Sequence, residues 1–312
     1  GTPPAMILVT GASGLLGSNL LLDFKKAGRE VAGVYGVHPV TLAGVKTGPL
    51  DLLDNAAVDA ALKALRPTWV VNTAAATNVD WCEDHPVDAR RLNGEAPGLL
   101  ADAARRGGAR FIQISTDAVF DGQRGLKDES HAPAPINVYG RTKWEGENAV
   151  RTACPGAVIV RTNLYGWNAQ PKSSLAEWML SRLESGQAFP AFQDIEYSPL
   201  LVNDLGDLLL SLIDRDASGT FHVAGSEPLS KWDFARRLAG VFELSAAPIQ
   251  PARATDVGLK APRPRFLSLN VKKAEGFLGR PLPRVEEGLR RFRSLRERGT
   301  VSELKKMIQP ER

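Results

Sequence analysis

From Met6 onward, short apolar runs alternate with amphipathic stretches along the chain. Met6 to Thr10 reads as a strand, Leu15 to Ala27 as a helix and Glu30 to Tyr35 as a second strand. The alternation then predicts a helix over Asp54 to Leu65, a strand over Trp69 to Asn72, a helix over Ala96 to Arg106 and a strand over Arg110 to Ser115. A further helix is predicted from Val138 and a further strand over Ala157 to Arg161. Strands this uniformly apolar leave no face for water. The pattern therefore calls for an α/β fold, a Rossmann-like doubly wound parallel sheet covered by helices on both sides.

After Gly166 the rhythm breaks at Pro171, Pro190 and Pro199, around a helix predicted over Leu175 to Glu184. Asn203 to Ile213 reads as a helix capped by Asn203 or Asp204, and Thr220 to Val223 as a strand returning to the sheet. A helix over Lys231 to Phe242, a Pro- and Arg-rich loop around Pro262 to Arg265 and a helical tail follow. The expected division is a dinucleotide-binding domain, 6–166 rejoined by 203–225, and a smaller C-terminal substrate-binding lobe, 167–202 with 226–312. Gly1 to Ala5 are read as extraneous to the fold, with Met6 the expected natural start.

Charge and composition narrow the partners. The net charge of +4 comes from interspersed signs with no basic stripe, which argues against nucleic acid and suits, at most, an anionic substrate. No apolar run approaches the roughly 20 residues a bilayer span needs, so no membrane association is expected. Cys82 and Cys154 are far apart and match no metal-ligand spacing, which predicts reduced thiols, a cytoplasmic protein and no metal. A homodimer is expected only because such folds commonly form one.

Candidate chemistry begins at Gly11-Ala-Ser-Gly14-Leu-Leu-Gly17, between a predicted strand and a predicted helix. There the first Gly permits a tight turn, the second lets the backbone approach a pyrophosphate, the third allows close helix packing, and the helix N-terminus offers free N–H donors. At the end of the second strand the chain reads Val34-Tyr35-Gly36-Val37-His38, without the acidic residue that would bind an NAD ribose. That absence leans toward NADPH over NADH. Asp51 suits an adenine amine, and the small residues Thr73 to Ala76 would let backbone lie along a cofactor.

Tyr139 and Lys143 stand four residues apart, on one face of a predicted helix. Ketone reduction needs a proton delivered to a developing alkoxide, and a nearby ammonium is expected to lower the Tyr139 pKa and to hold the nicotinamide ribose. Ser115-Thr116-Asp117 follows a strand ending at the edge where open α/β sheets bind ligands, and a hydroxyl there can polarise a substrate carbonyl.

Gly11 to Gly17, Asn72 to Asp80, Ser115 to Gly122 and Tyr139 to Glu147 together resemble the extended short-chain dehydrogenase/reductases, and within them the dTDP-4-dehydrorhamnose reductase branch. Arg161-Thr162 and Gly219 to His222 also fit that branch, so the likeness spans nearly the whole chain. It implies a catalytic set of Thr116, Tyr139 and Lys143, with Asn93 a structural helper of the proton relay. A nicotinamide cofactor would lie against Gly11, Ser13, Gly14, Leu15, Leu16, Gly17, Tyr35, His38, Asp51, Leu52, Ala74, Ala75, Ala76, Asn93 and Ser115, beside Tyr139 and Lys143. The implied substrate is a 4-keto-6-deoxy sugar on a nucleoside diphosphate, facing Thr77, Val79, Asp117 and Asn163.

Three positions depart from the branch. Ala76 stands where it has His, Ala118 where it has Tyr, and Leu164 where it has an aromatic, for which the nearby Trp167 is the expected substitute. These changes should reshape the sugar pocket. They also leave two alternatives: a non-catalytic NADP-binding regulatory subunit resembling the methionine adenosyltransferase beta subunit, and a nucleotide-sugar epimerase.

Overall fold

The computed structural model describes residues 5–308; Gly1 to Pro4, part of the segment read as extraneous, lie outside them. The first six strands are β1 (Met6–Thr10), β2 (Glu30–Tyr35), β3 (Lys46–Pro49), β4 (Trp69–Asn72), β5 (Arg110–Thr116) and β6 (Val158–Thr162). With Gly219–His222 they form one parallel sheet in the order Gly219–His222, β6, β5, β4, β1, β2, β3. From β1 the chain builds outward through β2 and β3, then crosses back to β4 and builds the other way. Adjacent strand ends therefore part between β1 and β4, the place where such sheets open a ligand crevice.

On one face lie α2 (Asn55–Leu65), α5 (Ala96–Arg106) and α6 (Val138–Ala153), closing a core that includes Leu8, Val70, Phe111, Val150 and Ile159. The other face carries α1 (Leu15–Lys26) and α8 (Val202–Asp214), and its core of Val9, Leu20, Val71 and Val160 runs without a break into the C-terminal lobe. There α7 (Leu175–Ser185), α9 (Lys231–Val241) and α11 (Val285–Glu297) pack around Phe189, Phe234 and Phe292, with α10 (Lys272–Leu278) and α12 (Thr300–Met307) alongside. The helical tail is thus three helices.

The structure departs from the apolar pattern at several places. β3 is Lys-Thr-Gly-Pro, with no apolar alternation to announce it; as the outer strand it can carry a proline without breaking a ladder on both sides. Between β4 and α5 the chain forms α3 (Val79–Asp84), α4 (Pro86–Ala89) and a π-helical turn, Arg90–Glu95, none of which has an amphipathic repeat long enough to read. The N-cap of α8 is Leu201 rather than Asn203 or Asp204. Asn203 instead turns its amide across the interface with α1, donating to Asn19 Oδ1 at 3.2 Å and Asp23 Oδ2 at 2.8 Å.

Candidate active site

The Gly-rich turn joins β1 to α1 at the crevice. Gly11 has φ +63°, and a Cβ there would come within 2.7 Å of the Ala74 nitrogen and the Thr73 hydroxyl, so only glycine lets the β1 and β4 ends approach this closely. A Cβ on Gly17 would lie 2.0 Å from the Gly11 carbonyl oxygen, which ties α1 tightly against the turn. Gly14 is different. It is the N-cap of α1 with no side-chain cap, no acidic residue follows in the first turn, and a Cβ would meet only the Gly11 oxygen, at 3.3 Å. Uncapped N–H groups, absent negative charge and a bare Cα fit a diphosphate. Gln170 donates to the Ser13 carbonyl at 2.7 Å and so holds this turn from the lobe side. Leu15 opens α1 half-buried, and Leu16 is buried in the core beneath it.

Further along the edge, Tyr35 ends β2 half-buried and His38 is exposed in the loop after it. Asp51 lies exposed beyond β3 beside half-buried Leu52, its carboxylate accepting the Leu53 N–H at 2.9 Å to shape the turn into α2. Past β4, Ala74, Ala75 and Ala76 are half-buried. Asn93, presented by the π-helical turn, accepts the Ala76 N–H at 2.9 Å and donates to the Ala76 carbonyl at 3.0 Å and to Thr142 at 3.2 Å. Its amide is committed to protein. Asn93 therefore positions the Ala76 backbone against α6 rather than offering polar atoms to a ligand.

Tyr139 and Lys143 occupy successive turns of α6, and Thr116 ends β5. The helix is set by Asn137, whose Oδ1 accepts the Gly140 N–H at 2.8 Å while its Nδ2 donates to the Pro262 carbonyl at 3.0 Å. A Cβ on Gly140 would fall 2.2 Å from the Ala118 carbonyl oxygen, so this glycine lets the first turn of α6 lie against the Asp117–Val119 turn that follows Thr116. Burial pushes the Tyr139 phenol up to about 12, aided by the charge of Asp117, while the Thr116 hydroxyl favours the phenolate. Lys143 donates to the Ile114 carbonyl at 2.8 Å, and burial pushes its ammonium down to about 8.

The expected lowering of the Tyr139 pKa by Lys143 is corrected here, because desolvation outweighs any gain from the ammonium, which is anchored to the β5 backbone. The result suits a proton donor: at neutral pH the phenol is protonated.

Two further expectations change. Ser115 does not turn its hydroxyl to the crevice. Successive strand residues face opposite sides, and Ser115 Oγ donates to Glu147 Oε2 at 2.6 Å on the α6 side of the sheet. Trp167 does not replace the missing sugar-facing aromatic, since its ring stacks on Phe292 at 4.0 Å between centroids and its N–H donates to the Phe292 carbonyl at 2.8 Å, deep in the lobe.

Of the other sugar-facing candidates, Asp117 and Asn163 gather at Thr116. Asn163, just after β6, donates to Asp117 Oδ2 at 2.8 Å, and Thr77 and Val79 lie at the start of α3. Asp117 is buried and pushed up to about 6, chiefly by desolvation. One residue here escaped the sequence reading: Lys231, the first residue of α9, whose charge acts on Asp117 from the lobe.

Glu147 anchors the opposite side of β5. It is fully buried and accepts from Ser115, from Arg161 (Nη2 at 2.8 Å, Nε at 3.0 Å) and from Arg151 at 2.8 Å. His222 lies 3.3 Å from Arg161 and 3.0 Å from the Lys127 carbonyl. A separate surface groove beside Trp167 is lined by Ser173, Glu177, Ser181, Ser185 and the paired Glu184 and Arg296. Among the described residues no cluster of three or more His, Cys, Asp or Glu side chains could hold a metal, and no helix is long and apolar enough to cross a membrane.

Residues 5–296 match the family model described as RmlD substrate binding domain. The chain is 36% identical, over 90% of its length and 95% of the relative's, to a probable low-salt glycan biosynthesis reductase of Haloferax volcanii. It is 33% identical to methionine adenosyltransferase 2 subunit beta of Pongo abelii, over 88% of this chain and 82% of that one. Among solved structures, dTDP-4-dehydrorhamnose reductase of Bacillus anthracis in complex with NADP superposes with a TM-score of 0.82 and 28% identity, covering 93% of this chain and 99% of that one.

Proposed function

The chain belongs to the RmlD substrate-binding-domain family, the dTDP-4-dehydrorhamnose reductase-like branch of the extended short-chain dehydrogenase/reductases, and from that premise we propose that it reduces the ketone of a nucleotide-linked 4-keto-6-deoxy sugar. The observation that carries the reading is Thr116 at the end of β5, its hydroxyl acting on the Tyr139 phenol, with Lys143 on the next turn of α6 bonded to the β5 backbone. NADPH, or NADH in its place, supplies the hydride when bound. Uncapped α1 and the bare Gly14 Cα support a diphosphate-bearing cofactor at that turn.

In this reading Tyr139 gives its phenolic proton to the carbonyl oxygen as negative charge develops there. Thr116 donates a hydrogen bond to the same oxygen, and Lys143 keeps a cation beside the phenolate that the transfer leaves behind. Free, buried Cys82 and Cys154 support a reducing, cytoplasmic setting.

The test follows NADPH oxidation with dTDP-4-keto-6-deoxyglucose, alone and after epimerase treatment. Turnover of one of them is expected, and Tyr139→Phe should lower kcat about 10²- to 10⁴-fold. A folded, NADP-binding sample that turns over neither substrate refutes the reading. The similarity to the methionine adenosyltransferase beta subunit favours a second one, a non-catalytic cofactor-binding subunit. It requires a stable complex with a partner enzyme that is indifferent to Tyr139→Phe.

A further inference from the structure

Lys231 is unusual among the cations of this chain. Its backbone N–H donates to the Ile195 carbonyl at 3.0 Å, which fixes the start of α9 against the strand pair Glu196–Tyr197 and Leu229–Ser230. The ammonium sits over the Tyr197 ring, 3.5 Å from its centroid. Among the described residues it has no carboxylate within ion-pair distance and no hydrogen-bond acceptor, although burial pushes it down to about 8. A crowded ammonium normally recruits acceptors, because each unpaired N–H in a dry setting carries a desolvation cost.

The carboxylate its charge acts on is Asp117. Asn163 Nδ2 holds one carboxylate oxygen at 2.8 Å, and the Thr116 hydroxyl reaches the other at a long 3.3 Å. The two charges sense each other, Lys231 favouring ionised Asp117 and the reverse, without closing a direct bridge. The chain itself joins the two: Tyr197, under the ammonium, stands three residues before Leu200, whose N–H donates at 2.9 Å to the carbonyl of Asn163, the residue that holds Asp117, so a donor-only group of the lobe and an acceptor-only group of the sheet edge belong to one neighbourhood next to Thr116. A hydroxyl both donates and accepts, and so satisfies the two at once. A 4-keto-6-deoxy hexose has one hydroxyl adjacent to its carbonyl, on C3, since C5 bears only hydrogen, the methyl group and the ring oxygen.

We infer that Lys231 is a specificity-determining residue which, together with Asp117, clasps the C3 hydroxyl of the sugar and selects against 3-deoxy sugars. The inference rests on the ketosugar reading above. The Tyr197 face fixes the ammonium in place beforehand, so little rotamer freedom is lost on binding. Discrimination follows from what a 3-deoxy sugar leaves behind, a carboxylate and an ammonium both lacking their shared partner.

The experiment compares wild type with Lys231→Met and Lys231→Gln on two substrates, a dTDP-4-keto-6-deoxy sugar and its 3-deoxy counterpart. Calorimetric binding of dTDP-rhamnose and of its 3-deoxy analogue runs in parallel, with NADPH affinity measured for every variant. Lys231→Met is expected to lose about 10- to 100-fold in kcat/KM for the 3-hydroxy sugar and little for the 3-deoxy sugar, so that the preference collapses. Lys231→Gln keeps a donor and should keep part of the preference, and NADPH affinity should stay within about twofold in both. An unchanged ratio between the two sugars, or an equal loss on both, overturns the inference and leaves Lys231 a structural cation. If wild type turns over neither sugar but binds the 3-hydroxy product with a Lys231-dependent preference, the reductase reading fails while the clasp stands. Should Lys231→Met fail to fold, Lys231→Gln decides alone, since an undiminished preference in that variant also overturns the inference.

Discussion

Removing the carboxylate of Glu147 should destabilise the whole molecule. Glu147 is fully buried and receives hydrogen bonds from Ser115, Arg151 and both Nε and Nη2 of Arg161, which is itself only 3% exposed. In Glu147→Ala the Arg161 guanidinium would be a buried cation whose nearest charged neighbour is lost. Breaking a buried pair in this way costs about 3–5 kcal/mol. For 312 residues at roughly 2.1 cal/mol/K each, the unfolding entropy is about 0.65 kcal/mol/K, so the Tm should fall by about 5–8 °C.

The companion variant Glu147→Leu with Arg161→Met removes both charges together and should recover most of that loss, because neither desolvated ion is left unmatched. Scanning calorimetry and urea unfolding on the two variants check this. A fall under about 2 °C for Glu147→Ala, or a double variant no more stable than the single, would refute the reasoning that Arg161 depends on this carboxylate.

Other outcomes follow from the same geometry. Gly140→Ala should leave a folded, NADP-binding protein with turnover down at least tenfold, since the added methyl meets the Ala118 carbonyl and pushes Tyr139 away from Thr116; steady-state rates set against cofactor titration separate the two effects. His222 is pushed down to about 4 by burial and by Arg161, so the unfolded chain binds its proton near pH 6.5 while the folded chain resists. Stability should therefore fall as pH drops from about 6.5 toward 4, and His222→Gln should flatten that part of the Tm profile relative to wild type; identical slopes would exclude His222 as the cause. Gly14→Ala should weaken NADP binding with little change in Tm, as its methyl would meet no protein atom beyond the Gly11 carbonyl oxygen at 3.3 Å, and isothermal titration reads this directly.

Much of this was legible in the chain because the information is local. The Gly11 to Gly17 spacing announces a strand, a turn and a helix within a few residues, and Tyr139 and Lys143 share a helix face by their spacing, a signal that gains weight from the Ser115 to Gly122 segment. What remained hidden depends on contacts between distant segments. Whether Ser115 faces the crevice or Glu147 turns on the strand's final register, and Trp167 reads as available until Phe292 is packed against it. The ionisation of Tyr139 follows from burial, which no spacing conveys. The charge of Lys231 acts on Asp117 only through the folding of the lobe, and β3 owes its pairing to β2 rather than to any preference of Lys-Thr-Gly-Pro.

The edge strand opposite β3, Gly219–His222, pairs with β6 although the whole α7 and α8 region is threaded between them. During synthesis, then, the free edge of β6 must wait for roughly sixty residues to emerge before its neighbour exists, a delay of several seconds at ordinary elongation rates. Arg161, whose strand faces that late arrival, has Glu147 as its ion-pair partner meanwhile. A nascent chain halted before His222 would expose an unzipped β-edge carrying Val158, Ile159 and Val160, the stretch on which a holding chaperone or an aggregating neighbour would act first.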